Sequence, residues 1–443
     1  MANQNENQLL KLLGVGFGIA ATIGGTIGTG ILRKPGPIAE QVGSPSVILL
    51  LWFLVGLYAF LGALCAIELA VSLPQAGSWY VYARRAFGNY FGFLTGVTSW
   101  LGTVVALGFS SYTISEFIAL LAPTESYNQL IAISILIVLT LVHILGTDIG
   151  DKTQKIFSYA KAIGLFIFVA LCFIYGGNVS LPSLQNTVSQ TATAGTMAGI
   201  VLALNSIFYA FDGWHTATYF TEENKDPAKS IPKGMIIGVL SVVGIYLLVN
   251  AAILYVLPLE NLKGSKLAAS DAMAAIFGNN TGKYITLFLL ISILGMANAQ
   301  VMFAPRVIYS MGRDGLFSSW MTKVNAKGSP QIALMTTSFL SICFILSGKE
   351  TCGKLSDIAT FFFVMSYTAG FISLIRLRKK EPNLPRPFKV PFYPILPILL
   401  IIVSSLFLIG AVKSDFESSK YGLLFIVLSY PIYLAVKKIN SHQ

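Results

Sequence analysis

Apolar residues run along this chain in stretches of about 20, the length that crosses a hydrocarbon core, separated by short polar or charged breaks. About twelve such stretches can be delimited, at 12–40, 45–71, 90–121, 129–147, 155–177, 194–221, 233–257, 283–312, 331–347, 355–377, 392–411 and 421–436. No connection between them is long enough to hold a soluble domain, so the pattern predicts one all-α integral membrane domain over residues 1–443. The first and sixth stretches differ from the rest. In the first, GGTIGTG at 24–30 places four glycines in seven positions. Each glycine weakens a helix by about 1 kcal/mol, so unwinding there costs little. In the sixth, Phe211, Asp212 and Gly213 set an acid and a glycine at mid-span. Discontinuous spans at corresponding positions of two halves point to a transporter with inverted repeats and a midplane site. The repeats fall at roughly 12–177 and 194–377, with 392–436 as two additional helices. Gly14, Gly16 and Gly18 read instead as close helix packing. A phosphate-binding loop at Gly25–Gly30 is excluded, because Ile31 and Leu32 stand where lysine and a hydroxyl residue are required.

Composition agrees with the pattern: 55% hydrophobic and 11% charged residues cannot build a water-soluble surface. The net charge of +11 comes from short loops. With an even number of spans and a cytoplasmic N-terminus, most of the 30 lysines and arginines lie on the inner side, which places both termini in the cytoplasm of a multi-pass protein of the cell membrane. Dispersed in this way, the positive charge does not make a nucleic-acid footprint. The opening MANQNENQLLK carries one basic residue and no small-residue cleavage site follows, so the first span is expected to be retained. Cys65, Cys172 and Cys343 fall inside spans and Cys352 in an outer loop, a scatter with neither metal spacing nor a disulfide framework. No metal and no cofactor is expected.

Unwound backbone in a bilayer must line a cavity or bind a ligand, since lipid cannot satisfy its N–H and C=O groups. The helix restarting near Gly30 turns free N–H groups and a positive dipole end toward the break at Thr26, Ile27, Gly28, Thr29 and Gly30, which suits a carboxylate. The hydroxyls of Thr26 and Thr29 are expected to add donors. Across from it, the carbonyls of Tyr209, Ala210 and Phe211 end a helix and suit an ammonium group. A carboxylate site facing an ammonium site describes an α-amino acid. Asp212, an acid at membrane depth, is a functional candidate by default: it binds a substrate cation, carries a proton, or bonds loosened backbone. Lys161 either bonds the orphan carbonyls of the first break, where related architectures hold sodium, or snorkels to the inner surface. Arg33 and Lys34 line the outer vestibule or pair with Glu40 or Glu116, and Glu68 calls for a structural partner. His215, one turn from Asp212, and His143, near a helix end, are weaker proton-relay candidates. The aromatic cluster Phe361–Phe363 reads as core or lipid-facing.

Four segments carry a resemblance to a known family. GGTIGTGIL, ELAVSLPQAGSWYVYARRAFG at 68–88, FDGWHTATYFTEENKDPAKSIPKG at 211–234 and APRVIYSMGRDGLFSSWMTKVNAKGSPQIAL resemble, in order along the chain, signatures of the amino acid–polyamine–organocation superfamily, closest to its L-type amino acid transporter branch. The resemblance implies the leucine-transporter fold, a 5+5 inverted repeat plus two helices with helices 1 and 6 discontinuous, working by alternating access. It implies that Thr26, Thr29 and Gly30 bind carboxylate, that Tyr209 closes over substrate as a gate, and that the backbone at Ala210 and Asp212 receives the amino group. It also implies that Lys161 substitutes for sodium. Members with a glycoprotein partner carry a cysteine between spans three and four; LAPTESYNQ has none, so no disulfide-linked heavy subunit is expected.

The sequence therefore predicts a sodium-independent exchanger of neutral L-amino acids, with the lipid bilayer and a small-molecule substrate as its partners. The alternatives are a cationic amino acid or polyamine antiporter, which Asp212 favours and Arg33 opposes, and a proton-coupled symporter. A membrane enzyme lacks a convergent acid, base and nucleophile, and a channel lacks a filter loop or charged ring.

Overall fold

The computed structural model describes residues 8–122, 124–178, 195–278, 282–414 and 416–440, with Thr29, Leu32 and residues 282, 349–358, 414, 417, 418 and 440 through their backbone alone. Among the described residues the chain is helical, without strands. Ten helical stretches are long and apolar enough to cross a membrane.

The first stretch is divided among α1 (Val15–Thr26), α2 (Thr29–Arg33) and α3 (Pro35–Val42), and α4 (Pro45–Ser72) follows. Pro35 and Pro45 open their helices at the first turn, where a missing N–H costs nothing. Gly43, at φ +70°, closes α3 in the left-handed conformation that glycine adopts freely. Next come α5 (Trp79–Phe87), α6 (Asn89–Ala119), α7 (Asn128–Ile144) and α8 (Thr147–Tyr175). The sixth stretch is α9 (Met197–Phe211), a turn, and a 3-10 segment over Thr216–Glu223. Asp226 caps α10 (Pro227–Val256) by accepting from the Lys229 N–H at 3.3 Å. The remainder is α11 (Leu259–Leu262), α12 (Ala268–Phe277), α13 (Gly282–Arg313), α14 (Gln331–Leu346), α15 (Lys349–Lys380), α16 (Ile395–Ser414) and α17 (Phe416–Asn440).

Three features differ from the hydropathy pattern, the first two because polar turns fold as helix beyond the apolar run. α8 begins at Thr147, its polar first turns carrying the i,i+4 pairs Asp148–Lys152 (2.7 Å) and Asp151–Lys155 (2.8 Å). Lys161 therefore lies mid-helix, not near a helix start. α15 begins at Lys349, so Cys352 belongs to a helix and not to a loop. The short helices α5, α11 and α12 carry no spanning signal.

α6 and α13 form the enclosed centre, while α7, α16 and α17 expose most of their apolar surface, as lipid-facing helices do. The helices α1 and α10 meet backbone to backbone at Gly18 and Gly234, where an added Cβ would meet backbone at 2.9–3.2 Å. Gly14 has no such neighbour, so the packing role expected for it is absent. Glu68 has its partner in Arg378 (2.7 and 2.5 Å) and also accepts from the Val390 N–H at 2.6 Å, which ties α4 to α15 and the segment after it. Phe361, Phe362 and Phe363 are core.

Candidate functional site

α1 leaves the helix after Thr26: Ile27 is extended (φ −75°, ψ 106°), Gly28 follows in a non-helical conformation, and α2 restarts at Thr29. α9 ends at Phe211; Asp212 turns outward with ψ 141° and Gly213 takes φ +105°. These two interruptions lie against each other. A Cβ on Gly30 would stand 2.5 Å from that of Ala210, and one on Gly213 would stand 2.5 Å from the Gly25 carbonyl carbon. The glycines thus do more than loosen a helix: they let two backbones touch.

Buried polar side chains grip the carbonyls released by the first break, as loose backbone inside a membrane requires. Lys161, fully buried on α8, donates from Nζ to the carbonyls of Gly24 (3.1 Å) and Ile27 (2.6 Å). Its ammonium does not snorkel. One and two turns earlier on the same face, Ser158 donates to the Ala20 carbonyl at 2.7 Å and Gln154 at 3.3 Å. Tyr246 on α10 spans both interruptions, its hydroxyl 2.9 Å from the Thr26 carbonyl and 2.8 Å from that of Ala210. A phenol has one proton, so these two carbonyls share a donor and keep accepting capacity. The Tyr246 ring packs edge to face on Trp52 and Phe211, with centroids 5.3 and 4.8 Å apart, and Trp52 lies tilted against Phe211 at 5.8 Å.

At one end of the bundle the segment before α1 is clipped to the end of the 3-10 segment: the Leu13 N–H donates to the Glu223 carbonyl and the Lys225 N–H to that of Leu13, both at 3.0 Å. The Glu223 carboxylate is fully buried and held bidentately by Arg306 at 2.7 and 2.9 Å.

Two broken helical segments lie face to face inside a bundle of membrane-length helices. The family described as amino acid permease matches residues 18–434, nearly the whole of that bundle. The chain belongs to the amino acid permease family. This permease is 28% identical to the serine/threonine exchanger SteT of Bacillus subtilis (strain 168) over 98% of both chains. It is 29% identical to the b(0,+)-type amino acid transporter 1 of Mus musculus, over 92% of this chain and 84% of that one. It is 27% identical to the large neutral amino acids transporter small subunit 2 of Homo sapiens, over 96% and 80%. The relatives are transporters, and the permease is a multi-pass membrane transporter of the amino acid class, not an enzyme.

In the permease, the expected site residues divide into two groups. Thr26, Ile27, Gly28, Gly30, Ala210, Phe211 and Lys161 converge on the paired interruptions; Thr29 joins them through its backbone. The Thr26 hydroxyl is not available as the expected donor, because it bonds the Thr22 carbonyl at 2.7 Å, as a helical threonine commonly does. Arg33 lies aside and pairs with Glu116 at 3.1 Å, its guanidinium 5.2 Å from the Phe117 ring. The Lys34 ammonium lies 5.5 Å from the Tyr209 ring, which places a cation against the residue read as a gate.

Asp212 faces the other way, into an aromatic cluster. The Tyr367 hydroxyl donates to Asp212 Oδ1, His215 Nε2 lies 3.2 Å from that hydroxyl and 3.6 Å from the carboxylate, and Trp79 Nε1 donates to His215 Nδ1 at 3.2 Å. His143 is remote from it and bonds Asn298 at 3.0 Å, which in turn bonds Gln154 at 2.6 Å. Sequence reasoning missed Tyr246, Tyr367, Trp79 and Gln154. An aromatic or amide in an apolar run looks like packing; only its neighbour in space gives it a polar role.

Proposed function

We infer that the permease is a sodium-independent exchanger of neutral L-amino acids. It works by alternating access from the cell membrane with both termini cytoplasmic, as two inverted repeats over 12–177 and 194–377 followed by two further helices. The observation that carries this reading is Lys161. Its ammonium occupies the carbonyls of Gly24 and Ile27 that a coordinated cation would otherwise satisfy, so the broken helix needs no sodium to hold its shape. The backbone of Thr26–Gly30 receives the substrate carboxylate, and the carbonyls of Tyr209, Ala210 and Phe211 its ammonium. Tyr209 closes over it, with the Lys34 ammonium against its ring, while Arg33 is engaged by Glu116. The names of the relatives point the same way: one is a serine/threonine exchanger and another a subunit of a large neutral amino acids transporter.

Cationic substrates are the second reading, favoured by Asp212: no lysine or arginine pairs with its carboxylate among the described residues. Without a cysteine between Leu121 and Gln129, no disulfide-linked subunit is needed. The test is counterflow. Purified protein in sodium-free liposomes loaded with unlabelled amino acid should accumulate labelled neutral amino acids, and accumulation should be unchanged when sodium is added. No accumulation across the twenty amino acids refutes the transport reading, and strict dependence on sodium refutes the role given to Lys161.

A further inference from the structure

The cluster at Asp212 holds a carboxylate with no countercharge, buried in a helix bundle that lipid surrounds. Tyr367 and His215 both address its Oδ1, and Oδ2 forms no hydrogen bond among the described residues, while the side chain keeps 15% of its surface exposed. The titratable groups facing Asp212 are Tyr367 from α15, Tyr219 from the 3-10 segment and His215, with Tyr58 of α4 and Tyr82 of α5 behind them. The tyrosines supply no positive charge. The indole of Trp79 is a donor only, so the Nδ1 it bonds is an acceptor, and the single proton of the ring sits on Nε2 toward Tyr367 and Asp212. Protonating Nδ1 would set two N–H groups against each other. An incoming proton thus has one favourable place to land, Asp212 Oδ2.

Resting on the transport reading above, we propose that Asp212 is a proton-binding site of the permease, loaded and unloaded with each neutral substrate that crosses in net uptake. A neutral amino acid adds no charge, so enclosing the aromatic cluster around an ionised Asp212 as the bundle closes strands a carboxylate in low dielectric; a proton on Oδ2 removes that charge. The proton enters from the side of uptake, crosses on the carboxyl and leaves on the opposite side. In one-for-one exchange of neutral substrates a proton crosses each way, and nothing accumulates.

The test uses liposomes with a trapped pH dye, potassium equal on both sides with valinomycin, no internal substrate, and the neutral amino acid that exchanges fastest in counterflow. Acid outside should drive concentrative uptake, up to about tenfold per unit of pH gradient for one proton per substrate, and the interior should acidify as substrate enters. Asp212→Asn should abolish the response to the gradient. Tyr367→Phe removes the hydrogen bond that favours the charged carboxylate, so it should move the midpoint of the pH profile upward. Uptake indifferent to the gradient overturns the proposal, as does a gradient response that survives Asp212→Asn, or an unmoved midpoint in Tyr367→Phe. Failure of counterflow exchange itself would instead refute the transport reading on which the proposal rests.

Discussion

Replacing Lys161 by alanine removes the one charged side chain that donates to the first break among the described residues. Two hydrogen bonds are lost, to Gly24 and Ile27 at 3.1 and 2.6 Å, and both carbonyls remain buried. Bonds from charged donors contribute about 1.5–3 kcal/mol each, so the held conformation of residues 24–28 loses at least about 3 kcal/mol. That reduces its population roughly 100-fold. Global stability changes less, because deleting a buried ammonium also relieves the cost of keeping it from water. The readout is therefore transport and not melting: counterflow of a labelled neutral amino acid by protein that remains monodisperse in size-exclusion chromatography. Lys161→Gln, which keeps one neutral donor, should fall between alanine and the parent. Uptake by Lys161→Ala within about threefold of the parent, a change below 1 kcal/mol, would show that the lysine does not hold the break and would remove the main support for sodium independence.

Three further outcomes follow from named contacts. Tyr246→Phe deletes the hydroxyl shared by the Thr26 and Ala210 carbonyls, and the loss of about 1 kcal/mol should weaken apparent substrate affinity roughly fivefold in concentration-dependent counterflow. Gly30→Val drives a side chain into Ala210, whose own Cβ would stand only 2.5 Å from the first atom added, so uptake should vanish, whereas Gly14→Ala, with open space around it, should transport normally in the same assay. Glu68→Gln leaves Arg378 and Arg386 short of their buried carboxylate; breaking such a pair costs about 3–5 kcal/mol, read as faster loss of monodisperse protein on heating.

The membrane class and the main spans were legible because the bilayer fixes their length and forbids charge, and the first break was legible because four glycines in seven residues make no sense on a lipid-facing helix. Lys161 was legible as a buried charge able to bond the orphan carbonyls of the first break; that these are Gly24 and Ile27, and that α8 starts as early as Thr147, was concealed by its polar first turns. Glu68 announced a partner without naming Arg378. The contacts of Tyr246 and Tyr367 left no trace in the sequence, since a tyrosine in an apolar run reads as core and its hydroxyl finds acceptors only across helices. Thr26 misled in the opposite sense: a hydroxyl at the break looked available, yet its own helix takes it up.

The most direct measurement is an experimental structure of the permease with a neutral amino acid bound. Its carboxylate should lie within hydrogen-bond distance of the backbone N–H groups of Gly28–Gly30 and its ammonium against the carbonyls of Ala210 and Phe211, with Lys161 still on Gly24 and Ile27. Density for the amino acid elsewhere in the bundle, or a sodium ion in place of the Lys161 ammonium, would contradict a site built from the two broken helices.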